Sequence, residues 1–464
     1  MLDFNNSFRA AALATIAAVS YDLVVIGGGV TGAGVARDAA LRGLKVALVE
    51  RGEAGGGTTA ASTHLIHGGV RYLLYDRLTT HATCWDSGHI VRTAGAALTR
   101  LPILWPVYRG HSRGLETVET LLEEYDRFQT MKYGLPHLRL TPEACLRLVP
   151  GLKAEGLRGG LVFDEWWVDA QALAARVLDS ARAAGAEILL RTPAEAILRD
   201  GARASGVRAG GRELRARVTI NAAGPWADRV ARLAGASLPL RLMKGTHLIW
   251  NDPRRVPVGL LLEAADRGRY VFVVPSPLGT WVGPTDLPGP DDPDAARTTP
   301  EEVRSLLDSV RLYFADWRDG PDRTIVGSRP ILGQPGDEKL LSRDFAVFDH
   351  GVRDGVPDLL TIGGGKMSDF RVMAEAAVDA ACARLGVRAA CATHLTALDG
   401  TPVGAIPDWP RPSPALKRFL RERPRLREAH ALAHLGGAFA AHLARRAAGL
   451  CPPRDEDAFR RRYA

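Results

Sequence analysis

A short glycine-rich segment between two apolar runs constrains the fold of this chain more than any other feature. Residues 21–26 (YDLVVI) and 45–50 (KVALVE) are rich in β-branched side chains, and residues 33–42 have helical spacing. Gly27, Gly29 and Gly32 form a GxGxxG pattern where the first run ends. The pattern predicts a βαβ unit with phosphates at the positive helix N-terminus. Glu50 ends the second run, where a carboxylate accepts hydrogen bonds from ribose hydroxyls, so the segment predicts a dinucleotide site.

A second segment indicates which dinucleotide is bound. Residues 219–226 read TINAAGPW, a predicted strand that ends in a turn of small residues. A late strand that returns to the nucleotide with an Ala-Gly motif is typical of FAD-binding chains and is not expected in simple NAD dehydrogenases. The alternative interpretation is an ordinary strand-to-helix turn. Taken with the glycine loop, the segment predicts bound FAD.

Residues 58–72 (TTAASTHLIHGGVRY) carry polar groups directly after the second strand. Hydroxyl side chains stand where pyrophosphate oxygens need donors, and two glycines permit close approach to an isoalloxazine ring. His67 can accept a proton near neutral pH, although a lone histidine is more often structural. Arg71 can bind an anion through two parallel hydrogen bonds.

Two more segments contain candidate site residues. Arg329 lies between glycine and proline in residues 327–330 (GSRP), which predicts a rigid turn rather than a helix face. Residues 363–366 (GGGK) follow a predicted strand at 359–362, and their glycines can bring backbone amides close to the flavin. This second loop lacks the spacing of a phosphate-binding P-loop.

The remaining pattern predicts an α/β chain. Residues 77–150 are expected to be mostly helical with proline breaks, and residues 240–290 alternate as an antiparallel sheet does. From about residue 390 the sequence is first rich in Pro and then rich in Arg, Ala and Leu. This composition predicts a helical module. The other predicted elements are helices at 168–184, 301–314 and 373–385, strands at 187–190 and 218–222, and a loop at 291–299.

Composition narrows the environment and the partners. The chain has 464 residues and a net charge of +8, which favours anionic partners, although the arginine excess also fits a GC-rich genome. The five cysteines form no CxxC pair, which argues against a disulfide framework, a zinc site or an iron–sulfur cluster and for a reducing compartment. No apolar run is long enough to span a bilayer, and residues 10–19 are interpreted as a short leading helix.

Taken together, the motifs resemble the FAD-dependent glycerol-3-phosphate dehydrogenases of the respiratory, quinone-linked type. The resemblance covers residues 21–385, and LIHGGVRYL is its most specific block. The other blocks are VIGGGVTGAGVARDAALRGLKVALVE, WVD, NAAGPW, KGTH, PTD, SRPI and GGGKMSDFR.

The resemblance implies a Rossmann-like FAD-binding domain, an antiparallel-sheet substrate domain and a small C-terminal helical module. The FAD-binding domain would be discontinuous, over 20–75, 165–240 and 355–388. The substrate domain would comprise 76–164 and 241–354, and the C-terminal module 389–464. The implied reaction is oxidation of sn-glycerol 3-phosphate to dihydroxyacetone phosphate by hydride transfer to flavin N5, with the electrons passed to a quinone.

The resemblance also implies a set of site residues and no metal. The catalytic residues would be His67, Arg71, Arg329 and Lys366. Substrate would be bound by Arg71, Tyr72, Lys244, Thr285, Arg329 and Arg343. The cofactor would contact Gly27, Gly29, Thr31, Gly32, Glu50, Arg51, Thr58, Thr59, Ser62, His67, Gly68, Gly69, Ala194, Ala223, Gly224, Trp226, Gly364, Gly365, Lys366, Met367 and Ser368.

This chain departs from the family pattern at three places. His64 stands where the family usually has Lys, and residues 170–173 read AQAL rather than DARL. Residues 367–371 read MSDFR rather than LTTYR, so Asp369 adds a negative charge near a phosphate-rich site.

Two alternatives to glycerol-3-phosphate oxidation stay open. One is a related FAD oxidase or dehydrogenase for another small 2-hydroxy acid or amine, and the other is a catalytically weakened flavin-binding protein. The expected location is cytoplasmic, peripheral to the inner face of the cytoplasmic membrane. An anionic membrane surface and a second copy of the chain are candidate partners, and nucleic acid is not.

Overall fold

The computed structural model describes residues 20–253, 255–267, 269–317, 319–333, 344–405, 407–450 and 456–463. The predicted leading helix at 10–19 and Cys451 lie outside the described residues.

The strands form two sheets and are numbered in chain order. They are β1 (Ser20–Ile26), β2 (Val46–Val49), β3 (Leu65–Ile66), β4 (Leu98–Tyr108), β5 (Leu138–Leu140), β6 (Leu157–Val168), β7 (Glu187–Leu189), β8 (Ala194–Asp200), β9 (Arg203–Ala209), β10 (Arg212–Asn221), β11 (Leu240–Trp250), β12 (Gly259–Glu263), β13 (Tyr270–Ser276), β14 (Gly279–Gly283), β15 (Leu287–Pro288), β16 (Arg323–Leu332), β17 (Phe345–Asp349) and β18 (Leu359–Gly364).

The helices are numbered in the same way. They are α1 (Val30–Leu41), α2 (Arg77–Ala94), α3 (Leu115–Gln129), α4 (Pro142–Leu148), α5 (Ala170–Ala183), α6 (Ala227–Arg232), α7 (Pro300–Arg311), α8 (His350–Arg353), α9 (Phe370–Leu385), α10 (Pro414–Arg421), α11 (Pro424–Ala447) and α12 (Glu456–Tyr463).

The first sheet has the predicted parallel core. Strand order is β17-β18-β10-β1-β2-β7, and β1 pairs in parallel with both β10 and β2. Leu23, Val24 and Val25 of β1 are fully buried, because helices α1, α5 and α9 cover one face and the β8–β9 hairpin with α6 covers the other. A parallel strand buried on both faces needs the continuous apolar run found here. The strands predicted at 21–26, 45–50, 187–190, 218–222 and 359–362 are therefore confirmed.

The second sheet has the predominantly antiparallel order β15-β11-β14-β13-β12-β4-β6-β3, with β16 paired to β11 and β5 to β6. The antiparallel pattern predicted at 240–290 is confirmed in β11 to β14.

Residues 77–150 are mostly helical as predicted, in α2, α3 and α4, but strand β4 interrupts these helices. Pro102 and Pro106 suggested helix breaks, but both lie within an 11-residue strand that pairs with β6 along its length. On its other side, within the part of the chain that the structure describes, β4 pairs with β12 only at Ile103 and Leu104. The prolines are tolerated because β4 makes few backbone hydrogen bonds with β12 that a proline could remove.

Arg329 also lies in a different element from the one predicted. It is in strand β16, opposite Met243 of β11, and not in a turn. Pro330 fits this strand because β16 pairs only with β11 among the described residues, and proline is acceptable in an edge strand.

The C-terminal helices pack on the body of the protein. His442 of α11 lies between Glu116 and Glu123 of α3, at 2.9 and 3.0 Å. Phe459 and Tyr463 of α12 pack against the core of the second sheet. The helical character of this region is confirmed, and the exact domain boundaries stay predictions.

Gly32 provides a stability test of the first sheet. A β-carbon on Gly32 would lie 1.9 Å from the carbonyl oxygen of Gly27, so strand and helix would have to separate. We expect Gly32→Ala to lower the free energy of unfolding by about 2 kcal/mol or more, as overpacked sites do. Gly436→Ala is the matched control, because the interior of α11 leaves open space around Gly436. Urea denaturation followed by circular dichroism would measure both, and equal stability of the two variants would contradict the packing role.

Candidate functional site

A cavity of about 1620 Å³ lies between the two sheets. It exceeds the roughly 300–1,000 Å³ of ordinary small-molecule pockets. One wall is formed at the carboxyl ends of β1, β2, β10 and β18, where open α/β sheets bind ligands. The predicted residues that line it are Gly27, Gly29, Thr31, Glu50, Arg51, Thr58, Thr59, Ser62, His67, Gly69, Arg71, Tyr72, Ala194, Ala223, Gly224, Trp226, Arg329, Gly364, Gly365, Lys366, Met367 and Ser368.

The glycine loop brings the N-terminus of α1 to the cavity wall. Gly27 has φ 111° and lies against Ala222, so the loop packs tightly on the end of β10. Gly29 precedes the helix and provides no side-chain cap, which leaves backbone N–H groups available to a bound anion. The Glu50 carboxylate accepts hydrogen bonds from the backbone N–H of Gly28 at 2.6 Å and of Gly52 at 2.7 Å. This geometry fits a dinucleotide.

The hydroxyl residues after β2 lie beside this loop. Thr59 Oγ1 accepts from the N–H of Val30 at 3.2 Å, so its own proton can be donated toward the cavity. Thr58 differs because its hydroxyl donates to the carbonyl of Ser328 at 2.6 Å. Ser62 Oγ accepts from the N–H of His64 at 3.2 Å. Thr59 is therefore better placed than Thr58 to donate to a phosphate.

Cationic side chains also line the cavity. Arg71 lies in the turn after β3, Lys366 follows β18, and Arg329 lies in strand β16. Arg113 and Arg269 also line the cavity, and sequence reasoning missed both. Neither is part of a recognisable motif, since loops of the second sheet bring them in.

Arg329 is held by backbone and carboxylate oxygens. One guanidinium nitrogen donates to the carbonyl of Thr285 at 2.6 Å, and the other lies 3.4 Å from Asp286. The guanidinium is thereby oriented along one side of the cavity, as two-pronged binding of an anion requires.

His67 is a neutral imidazole at physiological pH. Its backbone N–H donates to Ser368 Oγ at 2.9 Å. Its surroundings lower the pKa of His67 to about 3, mainly through burial and also through the positive charges of Lys366 and Arg71. A neutral ring that faces a cavity can accept a hydrogen bond from a bound hydroxyl.

His247 is a second cavity histidine that sequence reasoning did not select. It is buried, and its Nε2 lies 3.0 Å from Thr63 Oγ1. Burial, with a contribution from Arg329, lowers the pKa of His247 to about 3. The KGTH block, which ends at this residue, was the signal that could have identified it.

Some predicted residues lie away from the cavity wall. Lys244 Nζ pairs with Glu302 at 2.9 Å, and Thr285 Oγ1 donates to the same carboxylate at 2.9 Å. Gly32 and Gly68 are packing positions, and a β-carbon on Gly68 would lie 2.2 Å from Cys84 Sγ. Arg343 lies outside the described residues.

Two of the departures from the family pattern have different surroundings. His64 is buried away from the cavity lining, and its Nδ1 accepts from the N–H of Ala170 at 3.1 Å. Asp369 pairs with Lys366, which lines the cavity. His64 therefore has a packing role, whereas Asp369 acts on a group of the site.

Helix α11 contributes to the cavity from a region outside the motifs. Glu428 and Leu432 line it, one helical turn apart. The C-terminal region thus forms part of the site, which its sequence gave no reason to expect.

Comparison with known proteins places this geometry in context. The family model described as FAD dependent oxidoreductase matches residues 22–366. The aerobic glycerol-3-phosphate dehydrogenase of Staphylococcus haemolyticus (strain JCSC1435) is 33% identical over 405 residues, which are 83% of this chain and 72% of that protein. The corresponding enzyme of Staphylococcus aureus (strain USA300) is 33% identical over 381 residues, 79% of this chain and 67% of that protein. The crystal structure of the glycerol-3-phosphate dehydrogenase from Bacillus halodurans complexed with FAD has a TM-score of 0.65 and 26% identity, and the match covers 95% of this chain and 82% of that one.

Proposed function

The chain belongs to the FAD-dependent glycerol-3-phosphate dehydrogenase family, and from this premise we propose that it oxidises sn-glycerol 3-phosphate to dihydroxyacetone phosphate. The observation that carries the proposal is the cluster of cationic side chains around His67 in the same cavity as the dinucleotide loop. A dianionic phosphate fits such a cluster, and a neutral imidazole fits the loss of a hydroxyl proton.

FAD binding involves the wall at the carboxyl ends of the parallel strands. The α1 N-terminus and Thr59 can donate to the pyrophosphate, and Glu50 can accept from the ribose. Gly364 and Gly365 bring the backbone close to the flavin, and both have φ near +80°, which glycine adopts readily. FAD supplies the acceptor for the C2 hydrogen of the substrate as a hydride.

The substrate phosphate is proposed to bind Arg71 and Arg329. Charge-assisted hydrogen bonds from guanidinium groups would anchor the remote end of the molecule and orient its C2 carbon. Lys244 and Thr285 support this site indirectly, because the backbone oxygen of Thr285 holds Arg329 and Glu302 holds both side chains. His67 is the proposed acceptor of the C2 hydroxyl proton, so that hydride and proton leave to separate groups.

An anaerobic titration of the purified flavoprotein with glycerol 3-phosphate tests this function. We expect the oxidised flavin absorbance to bleach in proportion to added substrate, since no acceptor removes the electrons. Bleaching by another 2-hydroxy acid or an amine, but not by glycerol 3-phosphate, would contradict the substrate assignment. Reoxidation by a quinone analogue is expected to outpace reoxidation by oxygen, and stoichiometric peroxide would instead identify an oxidase.

Replacement of Arg329 tests the phosphate site. Arg329→Ala should lower kcat/KM by about 100-fold, with a higher KM and a lower kcat, because a charge-assisted anchor is lost. FAD should remain bound. Arg323→Ala is the matched control, since Arg323 begins the same strand and does not line the cavity. Loss of flavin from Arg329→Ala, or equal effects of both substitutions, would contradict the assigned role.

A peripheral contact with anionic membranes is also proposed. No described helix is long and apolar enough to cross a membrane. Helices α10 and α11 expose large apolar side chains, with Arg418 and Arg425 exposed nearby. Leu432 is both exposed and part of the cavity wall, so a lipid-soluble electron acceptor would approach the site along this face. The exposed apolar residues are Leu416, Phe419, Leu426, Leu432, Phe439 and Leu443.

Sedimentation with lipid vesicles tests this contact. At low salt the protein should pellet with anionic vesicles and much less with neutral ones, because basic side chains near a surface are attracted to acidic headgroups. Phe419→Ser should weaken the association, and Val352→Ser, at an exposed apolar site outside these helices, should not. Protein that stays in the supernatant with anionic vesicles would refute the proposal.

A further inference from the structure

Asp369 forms an ion pair with the lysine of the cavity. Its Oδ2 lies 2.9 Å from Lys366 Nζ, and its Oδ1 accepts from the backbone N–H of Lys366 at 2.8 Å. The Asp369 side chain is 1% exposed and that of Lys366 10% exposed. A buried ion pair of this kind is costly to desolvate and is weak evidence for stability, so its place in a cavity wall suggests a functional reason.

The ammonium group of Lys366 is fixed in direction as well as charge. Its Nζ lies 5.5 Å from the centre of the Tyr72 ring and donates to Asp369 Oδ2 at 2.9 Å. Burial acts to lower the pKa of Lys366, but Asp369, with further contributions from Tyr72 and Asp344, raises that pKa above its ordinary value. Lys366 is therefore a permanent cation, and Asp369 is a counter-charge attached to it.

Asp369 is one of the departures from the family pattern noted above, which usually has Thr at this position. A threonine can accept the backbone hydrogen bond of the turn, but it cannot neutralise a lysine. A neutral replacement would thus keep the hydrogen bond that Oδ1 accepts from the backbone N–H of Lys366. It would lose the negative charge that Oδ2 places beside Lys366 Nζ.

We propose that Asp369 is a positioning residue that screens Lys366 and thereby lowers the reduction potential of the bound flavin. Reduction places negative charge on the isoalloxazine ring, and a nearby cation stabilises that charge. A carboxylate paired with the cation removes much of this stabilisation. The inference rests on the proposed function only in placing the flavin beside residues 364–368.

The flavin–dye equilibrium measures this effect without any substrate. Purified FAD-loaded protein is reduced anaerobically at pH 7 in the presence of a reference dye of known potential. Asp369→Asn should move the equilibrium toward reduced flavin by about tenfold, which corresponds to about 30 mV for a two-electron couple. Asp369→Glu, which retains the charge, should stay close to the wild type.

Lys366→Met provides the opposite charge change. It leaves a negative charge near the ring, so the equilibrium should move toward oxidised flavin, and the double variant Lys366→Met/Asp369→Asn should lie between the two single variants. A merely structural role would not give shifts of opposite sign. If Asp369→Asn does not retain FAD, Asp369→Thr serves as the second neutral variant. The double variant removes both charges of the ion pair, so neither is left without its partner.

Two outcomes would overturn the inference. One is an unchanged equilibrium in every neutral variant of Asp369 that retains FAD, and the other is a shift in the same direction for Asp369→Asn and Lys366→Met. Bleaching by glycerol 3-phosphate is a separate measurement. If glycerol 3-phosphate bleaches the flavin but the variants show no shift in the flavin–dye equilibrium, the proposed function stands and the role of Asp369 fails. If the equilibrium shifts but glycerol 3-phosphate does not bleach the flavin, the role of Asp369 stands and the proposed function fails.

Discussion

The close approach of helix α1 to the ends of β1 and β10 is the contact on which the rest of the cavity depends. Only glycine allows it, since a β-carbon on Gly32 would meet the Gly27 carbonyl oxygen at 1.9 Å and one on Gly27 would meet the Ala222 carbonyl oxygen at 2.6 Å. The contact points the N-terminus of α1 toward the cavity and leaves the backbone N–H of Gly28, in the loop before the helix, bonded to Glu50. The other residues of this cavity wall lie around the glycine loop and the ends of β1 and β10.

Local sequence patterns predicted the first sheet well because the residues that define its β1-α1-β2 unit are neighbours in the sequence. A buried parallel strand, a glycine turn and a helix follow one another within about thirty residues, and the apolar runs are continuous. The second sheet was harder, because β4 contains two prolines whose acceptability depends on how little of that strand pairs with β12. Arg329 was assigned to a turn for the same reason, since an edge strand cannot be recognised before its neighbours are known.

The residues that line the cavity likewise divide into those that local sequence patterns predicted and those that they did not. Motif residues such as Gly29 and Thr59 were found from spacing, because their positions follow from the strand that precedes them. Arg113 and Arg269 were not, since no motif in the sequence marks side chains that long-range pairing brings together. The cations also share an arrangement that only coordinates reveal. Arg329 lies near Asp286, Arg269 near Asp266 and Lys366 near Asp369, so each of these three cations of the cavity has a carboxylate close to it.

Strand order in the first sheet has a consequence for the way the protein matures. β18 lies directly beside β10, yet it is separated from it by more than a hundred residues that build most of the second sheet. Gly364 to Ser368 close the cavity wall at the end of that strand. During synthesis the glycine loop between β1 and α1 is made early, but this wall of the cavity is complete only after residue 368 has been added. The complete cavity therefore forms late, and it requires both sheets.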